Sequence, residues 1–115
     1  MLSIIMEFRK GILFVRLEGS LTKMTVDKLN NEVTKLIKDN GIRNIVFNIS
    51  NLTTIDVKGI NTLLYNYEIC RNNNGKSLVC GVTNDLVRER IKHSRLLNYM
   101  YEASDELSAI NIINL

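Results

Sequence analysis

The stretch from Asn44 to Tyr67 constrains this chain most. Ile45, Val46, Phe47 and Ile49 form a nearly unbroken apolar run, the pattern of a strand covered on both faces. The spacing predicts that strand over Asn44 to Ile49. Ser50, Asn51, Thr53 and Thr54 follow. Their side chains bond nearby main chain and compete with ladder hydrogen bonds, so they predict a short loop. Asp56 then stands at an N-cap position, where a carboxylate accepts from the free amides of a first helical turn and suits the positive dipole end. Ile60, Leu63, Leu64 and Tyr67 recur at helical spacing, predicting an amphipathic helix from about Lys58 to Asn72.

The flanking segments repeat this alternation. Residues 2 to 8 and 12 to 18 predict two strands joined at Arg9-Lys10-Gly11, with Gly11 supplying a positive φ. Gly19-Ser20-Leu21-Thr22 predicts a break and a helix start, capped by Thr22 or Thr25. Val26, Leu29, Val33, Leu36 and Ile37 then mark a helix to about Lys38, closed by Asn40-Gly41. Ser77 to Val82 predicts a strand. Thr83-Asn84-Asp85 opens a helix carrying Leu86, Val87 and Ile91, with Arg88, Glu89, Arg90 and Lys92 outward. Asn98 to Glu102 predicts a short strand with Tyr99 and Tyr101 on one side. A last helix is capped by Ser104 and docked through Leu107, Ile110 and Ile113. The order ββαβαβαβα implies an α/β fold with a mixed, mostly parallel central sheet.

At 115 residues the chain is expected to form a single domain, residues 1-115. A net charge of +3, with Lys and Arg scattered, argues only weakly for a nucleic-acid or membrane partner, and no direct nucleic-acid binding is expected. No apolar run approaches a membrane span. Met1 to Glu7 lacks the marks of a signal peptide, so a cytoplasmic location is expected. One histidine and two separated cysteines give no metal constellation, and neither metal nor cofactor is expected. Cys70 and Cys80 read as buried apolar side chains. His93 lies among Lys92, Ser94 and Arg95 at a helix end, a solvated residue rather than a base. There is no phosphate-binding glycine motif and no carboxylate pair, so the chain is not expected to be an enzyme.

The central stretch resembles the signature of the STAS domain, the fold of the anti-sigma factor antagonists. That pattern is an apolar strand ending in Asp-Leu, a short loop, then apolar-Asp-Ser-Ser-Gly-Leu and an apolar helix. Ile55-Asp56, Gly59-Ile60 and Leu63-Leu64 match it. The strand-end acid is Asn48, and the two serines are Val57 and Lys58. Gly19 and Leu21 match the family's Gly-Glu-Leu-Asp element; Ser20 and Thr22 do not. The resemblance implies the STAS strand arrangement over nearly the full length. It also implies binding to an anti-sigma factor of ATPase (histidine-kinase-like) fold, with release on phosphorylation of the second serine.

Lys58 occupies that phosphoacceptor-equivalent position and cannot serve it. Two expectations follow: a constitutive binder, or one regulated through Ser50, Thr53 or Thr54, with Thr62 a further hydroxyl. Local physics leaves Asp56 as a cap, or as a cap that also shapes a partner-facing loop. A cation in the first helical turn gains nothing from the dipole; Lys58 is either a solvated lysine or the mate of an acid on a partner. Val57 is expected outside and Ile60 inside. The expected partner-binding surface is Asp56, Val57, Lys58, Gly59, Asn61 and Thr62, with Ser20, Thr22, Thr83 and Asn84 beside it, all at C-terminal ends of strands. The alternative is a STAS subunit of a larger ATPase complex, such as a lipid transporter or a stress-sensing assembly. A monomer or weak homodimer is expected in either case.

Overall fold

The computed structural model describes all 115 residues. Five strands form one sheet in the order β1-β2-β3-β4-β5: β1 (Leu2–Arg9), β2 (Ile12–Leu21), β3 (Asn44–Ile55), β4 (Ser77–Cys80) and β5 (Tyr101–Ala103). β1 and β2 are antiparallel, and every later pairing is parallel. Lys10 and Gly11 both take positive φ, 53° and 81°, the two-residue hairpin turn whose twist matches the strands. The expected mixed, mostly parallel architecture is present.

β2 and β3 depart from the sequence reading. The hydroxyl-rich segment after Ile49 is strand, and β3 runs on to Ile55. Ile49, Leu52 and Ile55 are buried at intervals of three while Asn51 and Thr53 face water. An extra residue in β3 at each register shift against β2 resets the two-residue alternation, so no simple period marks this strand. The segment Gly19-Ser20-Leu21 is strand as well, not a break. Each extension supplies the other's ladder, through Ser20 opposite Thr54 and Leu21 opposite Ile55, after register shifts near Leu17 and Gly19.

The helices are α1 (Val26–Leu29), α2 (Lys35–Asn40), α3 (Val57–Asn72), α4 (Asp85–Lys92) and α5 (Glu106–Ile113). A π turn, Asn30–Thr34, joins α1 to α2 into one rod. Gly41, left-handed at φ 60°, closes that rod as expected. Thr25 holds the N-cap position, but its hydroxyl bonds the Ser20 carbonyl and the Thr22 amide rather than the first-turn amides. β4 stops at Cys80, where Gly81 turns with φ 72°. The last strand begins at Tyr101, because Leu96–Asn98 is a 3-10 turn. Asp105, not Ser104, caps α5 by accepting from the Ser108 amide. Leu107 is exposed and Ala109 takes the inward position; a small residue lets α5 lie close to the sheet.

Two apolar layers enclose the sheet. Leu13, Val15, Ile45, Phe47, Ile49 and Val79 meet Leu29, Val33, Ile37, Leu63, Val87 and Ile91 from α1 to α4. The opposite face, Phe14, Val46, Leu78 and Cys80, is covered by α5 alone through Ala109, Ile110 and Ile113. Each fully buried Leu, Ile or Phe contributes about 1.5–3 kcal/mol. This two-sided burial explains the unbroken apolar run of β3. It also delivers the start of α3 to the C-terminal edge of the sheet.

A capped ledge beside a groove

Asp56 fastens the start of α3 to the loop after β2. One carboxylate oxygen accepts from the Gly59 amide and the other from the Lys23 amide, each at 2.9 Å. Partial burial disfavours its charge, but donors in the Lys23, Gly59 and Lys58 main chain outweigh that and hold the carboxyl below the usual aspartate range. The Asp56 amide in turn donates to the Leu21 carbonyl at 3.2 Å. Gly59 completes the joint: a Cβ there would lie 2.3 Å from the Leu21 oxygen, so only glycine lets the helix approach β2 this closely. The result is a rigid ledge that presents Val57, 70% exposed, and an exposed Lys58.

The structure brings together only part of the expected surface. Asp56, Val57, Lys58 and Asn61 share the ledge. Gly59 and Thr62 do not face outward; both are buried. The Thr62 hydroxyl donates inward, to the Asn30 side chain in the π turn between α1 and α2. Ser20 and Thr22 are half-buried and occupied in bonds around Thr25. Asn84 caps α4 by accepting from the Val87 amide, and the exposed Thr83 leans toward the Ser50 and Gly81 carbonyls. Of the three alternative hydroxyls, Ser50 and Thr53 are exposed on β3, with Thr53 donating to the Gly19 carbonyl at 3.0 Å. Thr54 is half-buried opposite Ser20.

A groove that the sequence reading missed opens beside the ledge, between α3 and α4. Its volume is about 770 Å³. Val57, Ile60, Leu64, Tyr67, Leu86 and Tyr99 supply its apolar surface, and Asp56, Asn61, Glu68, Glu89, Arg90 and Arg95 line it with polar groups. Leu86, expected in the core, is 47% exposed on this wall. Lys23 and Met24 were missed too; Met24 is 83% exposed next to the residue that binds Asp56. No local signal separates Leu86 from Val87, since adjacent helical positions can share one apolar face, as Thr62 and Leu63 do in α3.

The arrangement has little reactive chemistry. His93 is exposed, with Nε2 2.8 Å from Glu89. Burial pushes the Cys70 thiol up, and burial with the nearby Glu106 and Asp105 charges pushes Cys80 to about 12. Both stay protonated at neutral pH, the reverse of what a nucleophilic thiol requires. A ledge and an apolar groove without an activated nucleophile suit binding.

Comparison with known proteins agrees with the fold. The family model for the STAS domain matches residues 3–108. The chain belongs to the STAS domain family. Within it the chain is similar to an anti-sigma F factor antagonist of Paenibacillus polymyxa, 30% identical over 95% of this chain and 92% of that protein. The STAS fold is shared with a putative anti-sigma factor antagonist from Thermotoga maritima, with a TM-score of 0.89 at 11% identity, over 97% of this chain and 95% of that one. It is shared also with the phosphorylated form of the Bacillus cell fate determinant SpoIIAA, with a TM-score of 0.72 at 18% identity, over 96% and 99%.

One departure from the STAS pattern has a local cause. Asn48 replaces the strand-end acid, and its side-chain amide donates to Glu106 at 2.9 Å while its oxygen accepts from the Ser50 amide. Glu106 is also forked to Arg16 through two 2.8 Å bonds, and Arg16 reaches Glu7 at 3.1 Å. The Arg16 bond holds the Glu106 carboxyl below its ordinary range, against burial and with help from Asn48. An aspartate at 48 would oppose Glu106 with like charge; in this STAS domain the amide removes that conflict.

Proposed function

We propose that this STAS protein is a non-enzymatic, single-domain binding module. In this reading it is an anti-sigma factor antagonist that engages a kinase-fold anti-sigma factor through the first turn of α3. The observation that carries the reading is the ledge itself. Val57 and Lys58 are held outward by main-chain and Asp56 bonds that their own side chains do not make. An exposed apolar side chain beside a fixed cation and an open groove offers a centre and a rim for a protein interface. The antagonist relative from Paenibacillus polymyxa supports the class of partner.

Lys58 sets the regulation. Phosphorylation elsewhere in the family would add roughly two negative charges to a packed interface and break it. A lysine keeps this face cationic and leaves the complex without that release step. The test is titration calorimetry of the full chain with a purified kinase-fold anti-sigma factor from the same genome, with ATP present and absent. Binding is expected in both conditions, weakened at least tenfold by Lys58→Glu or Val57→Asp, with no phosphate gained at residue 58. Wild-type affinity in both variants, or ATP-dependent release through phosphate on Ser50, Thr53 or Thr54, would overturn the constitutive ledge.

A further inference from the structure

The edge strand β1 is unusually open. Its eight residues pair with β2 without a bulge. The chain contains no proline to guard an edge. The Ser20 amide donates to the Met1 carbonyl at 2.8 Å, and main-chain groups alternate between inward and outward along an antiparallel pair. Ser3, Ile5, Glu7 and Arg9 therefore bond to β2, while Leu2, Ile4, Met6 and Phe8 turn their amides and carbonyls to the outside. The Leu2 carbonyl is already taken by the Lys28 ammonium at 2.7 Å. What remains free is the run Ile4, Met6, Phe8. Around it lie exposed apolar side chains: Ile5 at 58%, Met6 at 36% and Phe8 at 60%.

We propose that this edge joins a second copy of the chain, β1 against β1 and antiparallel, with the two-fold axis at Met6. The free main-chain groups and the charges select that register. With the axis at Met6, Ile4 faces the other copy's Phe8 and Met6 faces Met6, so all three free residues bond their counterparts. On the other face Ser3 meets Arg9, and Ile5 meets Glu7. An axis at Glu7 would set two carboxylates opposite each other. An axis at Ile5 would require the Leu2 carbonyl that Lys28 holds. An axis at Phe8 would run the pairing into the hairpin turn, where Lys10 has left extended geometry. The self-complementary order of one short strand favours a second copy over an unrelated extended peptide. The dimer extends the five-stranded sheet of each copy into one. Pairing through one strand edge buries less than a standard interface of about 1,200–2,000 Å², so the dimer forms and dissociates with concentration.

Sedimentation velocity on the full chain tests this. The mass is expected to rise with concentration from 13.2 kDa toward twice that value. Met6→Lys is expected to raise the dissociation constant at least tenfold, since it sets two ammonium groups opposite each other on the axis. The melting temperature of the single chain is expected to stay unchanged, since the Met6 side chain is exposed at the sheet edge. Met6→Cys is expected to cross-link to itself on mild oxidation, because the two residues face each other on the axis; Ile5→Cys, on the opposite face against Glu7, is not. Cys70 and Cys80 are buried and do not compete. A wild type that stays at the single-chain mass up to about 1 mM, a dimer indifferent to Met6→Lys, or equal cross-linking through Ile5→Cys would overturn the proposal. So would a single-chain wild type that binds an extended peptide along this edge.

Discussion

Replacing Gly59 by alanine sets two physical effects of opposite sign against each other. Alanine in a helix interior is favoured over glycine by about 0.5–1 kcal/mol, so propensity alone predicts a more stable protein. The joint predicts the reverse. The new methyl would stand 2.3 Å from the Leu21 carbonyl oxygen and 2.8 Å from Ile55 Cγ1. Relief requires a shift of about 1 Å, and the carbonyl is backbone that already accepts from the Asp56 amide. Overpacking of this kind costs about 1–3 kcal/mol. Loss of the Asp56 bond adds about 0.5–1.5 kcal/mol. After the propensity gain, a net loss of about 0.5–4 kcal/mol remains. For a chain of this size each kcal/mol moves the melting temperature by about 4 °C, giving a fall of about 2–16 °C by calorimetry or circular dichroism. An unchanged or raised melting temperature would refute the claim that close approach at Leu21 dictates glycine at 59.

Three further outcomes follow from side chains already placed. Asp56→Ala removes the acceptor of the Gly59 and Lys23 amides and is expected to cost about 1 kcal/mol, read as a lower urea midpoint at neutral pH. Glu106 ionises more readily folded than unfolded because of Arg16. Its contribution is therefore full above the unfolded-state pKa and disappears as pH falls through the lower folded one; Glu106→Gln should flatten that acid loss in urea melts compared between pH 7 and pH 3. Asn48→Asp should be less stable than wild type by about 1–3 kcal/mol at pH 7, through loss of its amide donor and repulsion from Glu106. The carboxyl introduced there has a raised folded pKa, so the gap in urea midpoints should narrow as the pH falls and it takes a proton.

Periodicity revealed α3 and the two-sided burial of β3, and N-cap chemistry revealed Asp56, since each has a local cause. Those signals sufficed for the α/β class and for the outward Val57 and inward Ile60. The second half of β3 was hidden because Ser50, Thr53 and Thr54 carry loop chemistry in a segment whose ladder partner, Ser20 and Leu21, comes from more than thirty residues away. The inward bond of the Thr62 hydroxyl depends on Asn30 from another segment, and the groove depends on how α4 lies against α3. Neither is a property of one segment. The same limit applies to Gly59, whose role is decided by the Leu21 carbonyl rather than by its own helix.

The bonds that fix the start of α3 run through peptide groups and one carboxylate, and the side chain at 58 contributes nothing to them. Shape and charge are thereby separable at this spot. Serine, lysine or an acid at that position would leave the platform's outline intact, so the charge it offers can change while its architecture stands still.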